Sequence, residues 1–343
     1  MLTVFSPIHR LHHGVELKDG ALKPSFEAPG RADTVLARVR SAGLGEVIGE
    51  RPYDRACYVA AHSERYVAFL ETAWSQWAAT GRTHDALPLV WPVRTLSTQE
   101  EPSHIDGKLG FYAMDAGAPI AARTWDAVRS SANVALTGAD AVIDGAPGAF
   151  ALCRPPGHHA AREYAGGYCY LNNAAIAAER CLGRGARRVA ILDVDFHHGN
   201  GTQDIFYERA DVLFASIHGD PRNSYPFFSG HAAETGAAGG LGHTANYPLP
   251  WGTDWSAYEV VLDSAMRRVT EHRPDFLIVS LGVDTFKDDP ISHFSLASDD
   301  YVRMGERIAR AGVPTLFVME GGYMVDEIGI NAVNALQGFD GVA

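Results

Sequence analysis

Only four cysteines, Cys57, Cys153, Cys169 and Cys181, stand in 343 residues. No two show a CxxC or disulfide-scaffold spacing, which argues against a thiolate cluster and a cross-linked scaffold and leaves reduced, buried thiols as the default. Nowhere do about 18 apolar residues run together, so no membrane-spanning helix is expected. The opening "MLTVFSPIHRLHHG" lacks a charged stretch followed by a long apolar one, and a cytoplasmic protein without membrane contact is expected. Positive charge is scarce: Lys and Arg total 29 against 41 Asp and Glu, and 29 − 41 gives −12. That balance speaks against a nucleic-acid-binding face and favours cationic ligands. Fixed-period repeats and low-complexity segments are missing too; "GAAGGLG" (236–242) reads as a glycine-rich loop.

What is present is apolar and punctuated. Hydrophobic residues make up 46%, enough for a sizeable core, and the length suits one large α/β domain or two smaller ones. From about residue 148 an apolar strand, a polar loop and an amphipathic helical stretch recur, the pattern of a parallel sheet covered on both faces. The strands predicted are "AFALC" (149–153), "RVAIL" (188–192), "VLFASI" (212–217), "FLIVSL" (276–281) and "TLFVM" (315–319), with helices such as 172–182 and 255–272 between them. Each strand runs out into polar, reactive residues: "RPPGHH", "DVDFHHGNG", "HGD", "GVD" and "EGGY". Ligands of open parallel sheets bind beyond the carboxyl ends of the strands, so the five exits are expected to meet at one cleft. The segment from about 83 to 120 is long, irregular and broken by Pro88, Pro92 and Pro102; such a loop reads as a lid, binding loop or interface arm.

"ILDVDFHHGNG" (191–201) sets two carboxylates and two imidazoles at the end of an apolar run. If the strand continues, Asp193, Asp195 and His197 share a face. Burying neighbouring carboxylates is costly without a cation, and no basic partner is in sight. Asp195, His197 and Asp284 therefore read as ligands of one metal, leaving a position open for water as catalytic zinc sites do. Two carboxylates are hard donors, so iron(II) or another divalent ion also suits them. The competing reading is a metal-free network of buried hydrogen bonds. His158 and His159, on a proline-stiffened loop, are candidates to move protons, with Asp193 and Asn200 as partners that tune the two imidazoles apart. A lone His-His pair is more often a surface accident; beside a metal pattern it is not. Tyr323, after two glycines, is a candidate oxyanion donor, the alternative being an ordinary loop aromatic. His9, His12 and His13 lie among no carboxylates and read as exposed or loop-packing, and His218 with Asp220 as shaping the site. His104, His231 and His293 are left without a role.

Together these residues resemble the zinc-dependent deacetylase family, which includes histone deacetylases and acetylpolyamine amidohydrolases. "RPPGHHA", "GGYCYLNNAAIAA", "ILDVDFHHGNGTQDIF", "SIHGD", "SLGVDTF" and "EGGY" stand in the family's order across about residues 20–335. The resemblance implies a three-layer α/β/α arginase/deacetylase fold with a central, mostly parallel sheet, as a single domain over 1–343 with an inserted arm at about 83–120. It makes Asp195, His197 and Asp284 the ligands of one zinc ion, His158 and His159 the paired histidines, and Tyr323 the oxyanion donor. Gly167, Tyr168 and Tyr225 fall where members line a narrow tunnel, with Ile291 at its rim. It also implies potassium at Asp193, Asp195, His197, Ser216 and Ile217, and a second potassium at Phe206, Arg209, Val212 and His243. "HHGNG" and "EGGY" depart from the nuclear histone deacetylases and match bacterial and class II-like members. The arm resembles that of the bacterial acetylpolyamine amidohydrolases, which packs across a dimer; Asp106 is favoured over Asp115 to meet a distal ammonium group.

The activity implied is removal of acetyl groups from acetylated polyamines of the acetylputrescine or acetylcadaverine type. Deacetylation of acetyl-lysine in proteins is the runner-up, disfavoured by a constricting arm. A binuclear manganese ureohydrolase would need Asp-x-Asp where Gly282-Val283-Asp284 stands, and a non-catalytic acetyl-ligand binder would not need the six metal, histidine and tyrosine positions together.

Overall fold

The computed structural model describes residues 1–342. Its strands are β1 (Leu2–Val4), β2 (Val15–Lys18), β3 (Ala21–Pro24), β4 (Val47–Ile48), β5 (Gly148–Ala151), β6 (Val189–Asp193), β7 (Val212–Gly219), β8 (Thr244–Leu249), β9 (Phe276–Leu281) and β10 (Thr315–Met319). β2 and β3 form an antiparallel hairpin, and the other eight form one sheet in the order β4-β1-β5-β10-β9-β6-β7-β8. Every neighbouring pair in that sheet is parallel.

The continuous apolar runs exist because both faces are covered. Strand side chains alternate, so Val189 and Ile191 pack with the helices Glu64–Ala79, Thr124–Ile143 and Asn173–Gly183 on one side. Ala190 and Leu192 pack on the other with Gly30–Ser41, Trp255–His272, Ser298–Ala309 and Ile328–Asp340. The result is the three-layer α/β/α architecture. Each buried Leu, Ile or Phe in these layers contributes about 1.5–3 kcal/mol. Helix starts are set locally: the Asn172 side chain accepts from the Ala175 N–H at 2.9 Å, and Asp254 from the Ala257 N–H at 3.1 Å.

β9 and β10 have the predicted bounds, β5 and β6 begin within a residue of theirs, and β7 runs two residues longer. β1, β4 and β8 lie outside the predicted set. The first two are too short for a periodic signal, and edge strand β8 carries Pro248, which only an edge tolerates. One expectation is corrected: β6 ends at Asp193, so Asp195 and His197 lie on the following bend rather than on a strand face. The 83–120 segment is closed at its base by Ala86 and Ile120, whose backbones exchange hydrogen bonds of 2.9 and 3.0 Å, and it contains the short helix Ile105–Phe111.

Candidate active site

The five reactive exits follow β5, β6, β7, β9 and β10, which are contiguous in the sheet, and this contiguity is what gathers them. Asp195, His197 and Asp284 meet there, each buried, with one ligand atom apiece lying within 4.8 Å of the others. Asp195 is aimed by the backbone: its Oδ2 accepts from the Gly321 N–H at 2.8 Å and its Oδ1 from the His197 N–H at 2.8 Å. Asp284 Oδ1 accepts from the Phe196 N–H at 2.8 Å, and its Oδ2 lies 2.8 Å from His197 Nδ1. Glycines make room for the carboxylates. A Cβ on Gly282 would come within 2.1 Å of Asp195 Oδ2, and one on Gly321 within 2.5 Å.

The charges here do not balance. Asp193, Asp195, Asp284 and Glu320 are all fully buried. Among the described residues no Lys or Arg forms an ion pair with any of them, which leaves His158 and His197 as partners. Burial, then Asp195, pushes Asp284 up to about 7. Burial also works to raise Asp195, but His158 and His197 outweigh it and hold that carboxyl below the usual range. A divalent cation among one imidazole and two carboxylates relieves this strain, so the residues fit a metal.

His158 and His159 lie with ring centres 4.0 Å apart and their planes tilted by 42°, yet they face different partners. His158 Nδ1 lies 3.0 Å from Asp193 Oδ2, and His159 Nδ1 2.7 Å from Asn200 Oδ1. Burial opposes charge on both. At His158 the carboxylates of Asp195 and Asp193 win and its pKa is pushed up to about 10. His159 has only an amide partner, and burial with the neighbouring His158 and His197 holds it well below its ordinary value. His159 also lines the cleft in front of the triad. It is the neutral, accessible imidazole.

That cleft measures about 620 Å³, and Gly167, Tyr168, Tyr225, Ile291 and Tyr323 line it with His159 and His197. Gly167 has φ +51°, and a Cβ there would sit 2.4 Å from His159 Cδ2, so only glycine lets this wall approach. Tyr168 and Tyr323 lie with ring centres 5.7 Å apart, and Tyr225 stands edge-on to His159 at 5.0 Å. Tyr323 is fixed through its backbone, whose N–H donates to Asp289 Oδ2 at 2.7 Å. The Arg31 guanidinium lies 4.7 Å from its ring centre and donates to the Gly322 carbonyl at 2.6 Å.

Asp106 is not brought to this cleft. It forms an ion pair with Arg82, whereas Asp115, the carboxylate passed over, lines the wall. Asp115 is a wall-builder: Oδ1 accepts from the Gly117 N–H at 2.8 Å, and Oδ2 from the Gly167 N–H at 3.1 Å and the Tyr225 hydroxyl at 2.6 Å. Asp193 and Ser216 are neighbours in register, with Ile217 next along β7, and Ser216 Oγ lies 2.8 Å from His218 Nδ1. Phe206, Arg209, Val212 and His243 gather near the start of β7: the Phe206 carbonyl accepts from the Arg209 N–H at 3.0 Å and the His243 carbonyl from the Phe214 N–H at 2.9 Å. Cys153, Cys169 and Cys181 are buried, Cys57 half-buried, and all four are free thiols. His9 and His12 prove buried rather than exposed, their carbonyls accepting from Arg154 at the back of the site.

Sequence reasoning missed Glu320, Asp289, Arg31 and Glu16. Glu320 Oε2 accepts from the Gly157 and His158 N–H groups at 2.7 and 3.2 Å and so holds the histidine loop. Burial pushes its carboxyl up to about 7. The signal for Glu320 was its place in "EGGY"; for the others a single sequence offers none.

A family model for the histone deacetylase domain matches residues 25–338. A Pseudomonas aeruginosa protein called acetylpolyamine amidohydrolase 2 is 61% identical over 343 residues, covering 100% of this chain and 99% of that one. An acetylpolyamine amidohydrolase of Mycoplana ramosa is 49% identical, with 99% and 100% covered. The crystal structure of an acetylpolyamine aminohydrolase from Burkholderia pseudomallei superposes with a TM-score of 0.94 at 40% identity, covering 100% of this chain and 99% of that one.

Proposed function

We propose, from the premise that this chain belongs to the histone deacetylase family, that it is a metal-dependent amide hydrolase deacetylating short acetylated amines with a cationic end. Relatives called acetylpolyamine amidohydrolases support the choice of amine. The observation that carries the reading is the buried Asp195–His197–Asp284 donor set, with His197 opening onto the same cleft as His159 and Tyr323.

Asp195, His197 and Asp284 would hold one zinc ion, iron(II) being the alternative, which when bound polarises the amide carbonyl and acidifies a water. His159, kept neutral, takes the proton of the attacking water at Nε2 while Asn200 holds Nδ1. As the imidazolium it then returns that proton to the leaving amine. His158, drawn toward its charged form by Asp195 and Asp193 against the effect of burial, supplies positive charge behind the reacting centre. Tyr323 donates its hydroxyl to the oxyanion developing on the carbonyl. Gly167, Tyr168 and Tyr225 flank the chain beyond the acetyl group, with Ile291 at the mouth. Asp193, Ser216 and Ile217, and separately Phe206, Arg209, Val212 and His243, belong to the proposal as potassium sites. So do a single domain with an arm, a homodimer and a cytoplasmic location; among the described residues no helix is long and apolar enough to cross a membrane.

The test is turnover by protein of measured metal content. Acetylputrescine should be hydrolysed faster than an acetyl-lysine peptide, and dialysis against a chelator should abolish turnover until zinc is restored. Faster peptide hydrolysis would move the assignment to protein deacetylation, and undiminished activity after metal loss would end it.

A further inference from the structure

Tyr323 stands on a segment with little stiffness of its own. Residues 320–324 form neither strand nor helix. Gly321 is tied down on both sides, its N–H to Asp195 Oδ2 at 2.8 Å and its carbonyl to the Val283 N–H at 3.0 Å. Gly322 is the last joint before the tyrosine, at φ +125°, a conformation that side chains rarely adopt. A small rotation there is magnified at the phenol oxygen, the far end of the side chain.

One peptide unit takes up that freedom. The Gly322 carbonyl and the Tyr323 N–H are its two ends, and buried groups of opposite charge hold them. Arg31 Nε donates to the carbonyl at 2.6 Å, and Asp289 Oδ2 accepts from the N–H at 2.7 Å. A flipped peptide would set carbonyl against carboxylate and N–H against guanidinium, so the pair admits one orientation only. Asp289 is 8% exposed and does not itself line the cleft. Its Oδ1 accepts from the Ile291 N–H at 3.1 Å, and Ile291 does line it. One carboxylate thus braces a cleft wall and the tyrosine backbone against each other. We propose that Asp289 is a positioning residue of the reaction: opposite Arg31 it locks the Gly322–Tyr323 peptide, and so aims the Tyr323 hydroxyl at the substrate carbonyl without touching substrate. This rests on the deacetylase reading above and adds what keeps the oxyanion donor in place.

The experiment is a double-mutant cycle on zinc-loaded protein of measured metal content, with acetylputrescine as substrate. Asparagine keeps the shape of aspartate but has one acceptor oxygen for two N–H groups, and it sets its own NH2 against the other. Asp289→Asn should lower kcat at least about tenfold, as small misplacements of reacting groups do. KM should stay within about threefold of wild type, with circular dichroism and zinc content unchanged. In the Tyr323→Phe background the same substitution should alter kcat by less than about threefold, because no hydroxyl remains to be aimed. An equal loss in both backgrounds overturns the proposal, since Asp289 would then serve the fold or the metal ligands. A wild-type kcat in the single variant overturns it as well. Should Asp289→Asn not fold, Asp289→Glu, which keeps both acceptors but shifts them by a methylene, is carried through the same cycle with the same two outcomes. Failure of the wild type to hydrolyse acetylputrescine would instead sink the deacetylase reading, so the two failures are told apart.

Discussion

Tyr323 is held by groups far from it in sequence. Arg31, which fixes the Gly322 carbonyl 291 positions away, is itself gripped by Glu27 at 2.9 Å, and Glu27 also meets Arg154 at 2.7 Å. All three side chains are almost fully buried. Removing one partner of such a network costs about 3–5 kcal/mol because an uncompensated charge is left inside. The phenol hydroxyl takes no part in that scaffold, so its loss separates chemistry from folding. Tyr323→Phe should lower kcat by about 10²–10³, the usual worth of one oxyanion donor, while the melting temperature stays at the wild-type value. A kcat within a factor of about three of wild type would remove the tyrosine from the chemistry. Tyr323 was legible in the sequence because it stands in a short motif at a strand exit. Glu27, Arg31 and Asp289 were not, since Arg31 and Asp289 act on backbone atoms, and Glu27 on the Arg31 and Arg154 guanidinium groups, that only the folded chain brings near.

Among the strands, the same contrast has a topological cause. The exits of β5, β6, β7, β9 and β10 were legible because buried parallel strands read as unbroken apolar runs that stop abruptly at polar residues. The closeness of Asp195 to Asp284 was less so, because a bend after Asp193 aims the carboxylate and the glycines after β9 and β10 admit it. Gly282 is the tighter of the two. An added methyl there would meet the Asp195 side chain at 2.1–2.4 Å, from its Oδ2 to its Cβ and Cγ. Asp195 would have to turn away from His197. Gly282→Ala should therefore weaken binding of the proposed zinc ion by at least about tenfold, since disturbing the groups that orient metal ligands typically costs 10–100-fold. Calorimetric titration of metal-free protein reads this directly. An affinity equal to wild type would mean that the carboxylate has another way to reach the ion.

For the molecule as a whole, the arm is the face on which the proposed homodimer would form. Its stretch Leu89, Val90, Val93 and Leu96 is 80%, 53%, 60% and 53% exposed, an unusual concentration of large apolar side chains in a segment of eight residues that forms no strand or helix. The arm is nonetheless anchored at its base by the Ala86–Ile120 pair and packed where the Val90 carbonyl lies against Gly110, where a Cβ would clash at 1.6 Å. An anchored loop that presents aliphatic side chains to solvent is better explained by a partner than by a solvated turn. The net charge of −12 works the other way, keeping copies apart except where an apolar face outweighs the repulsion. Light scattering should thus give twice the chain mass of 37.0 kDa at micromolar concentration. The double variant Leu89→Asp with Val93→Asp should return the single-chain mass with its circular dichroism unchanged, because neither side chain belongs to the core. A variant that still runs as a dimer would show that the copies meet elsewhere, and the arm would then have to be read as a lid over its own cleft.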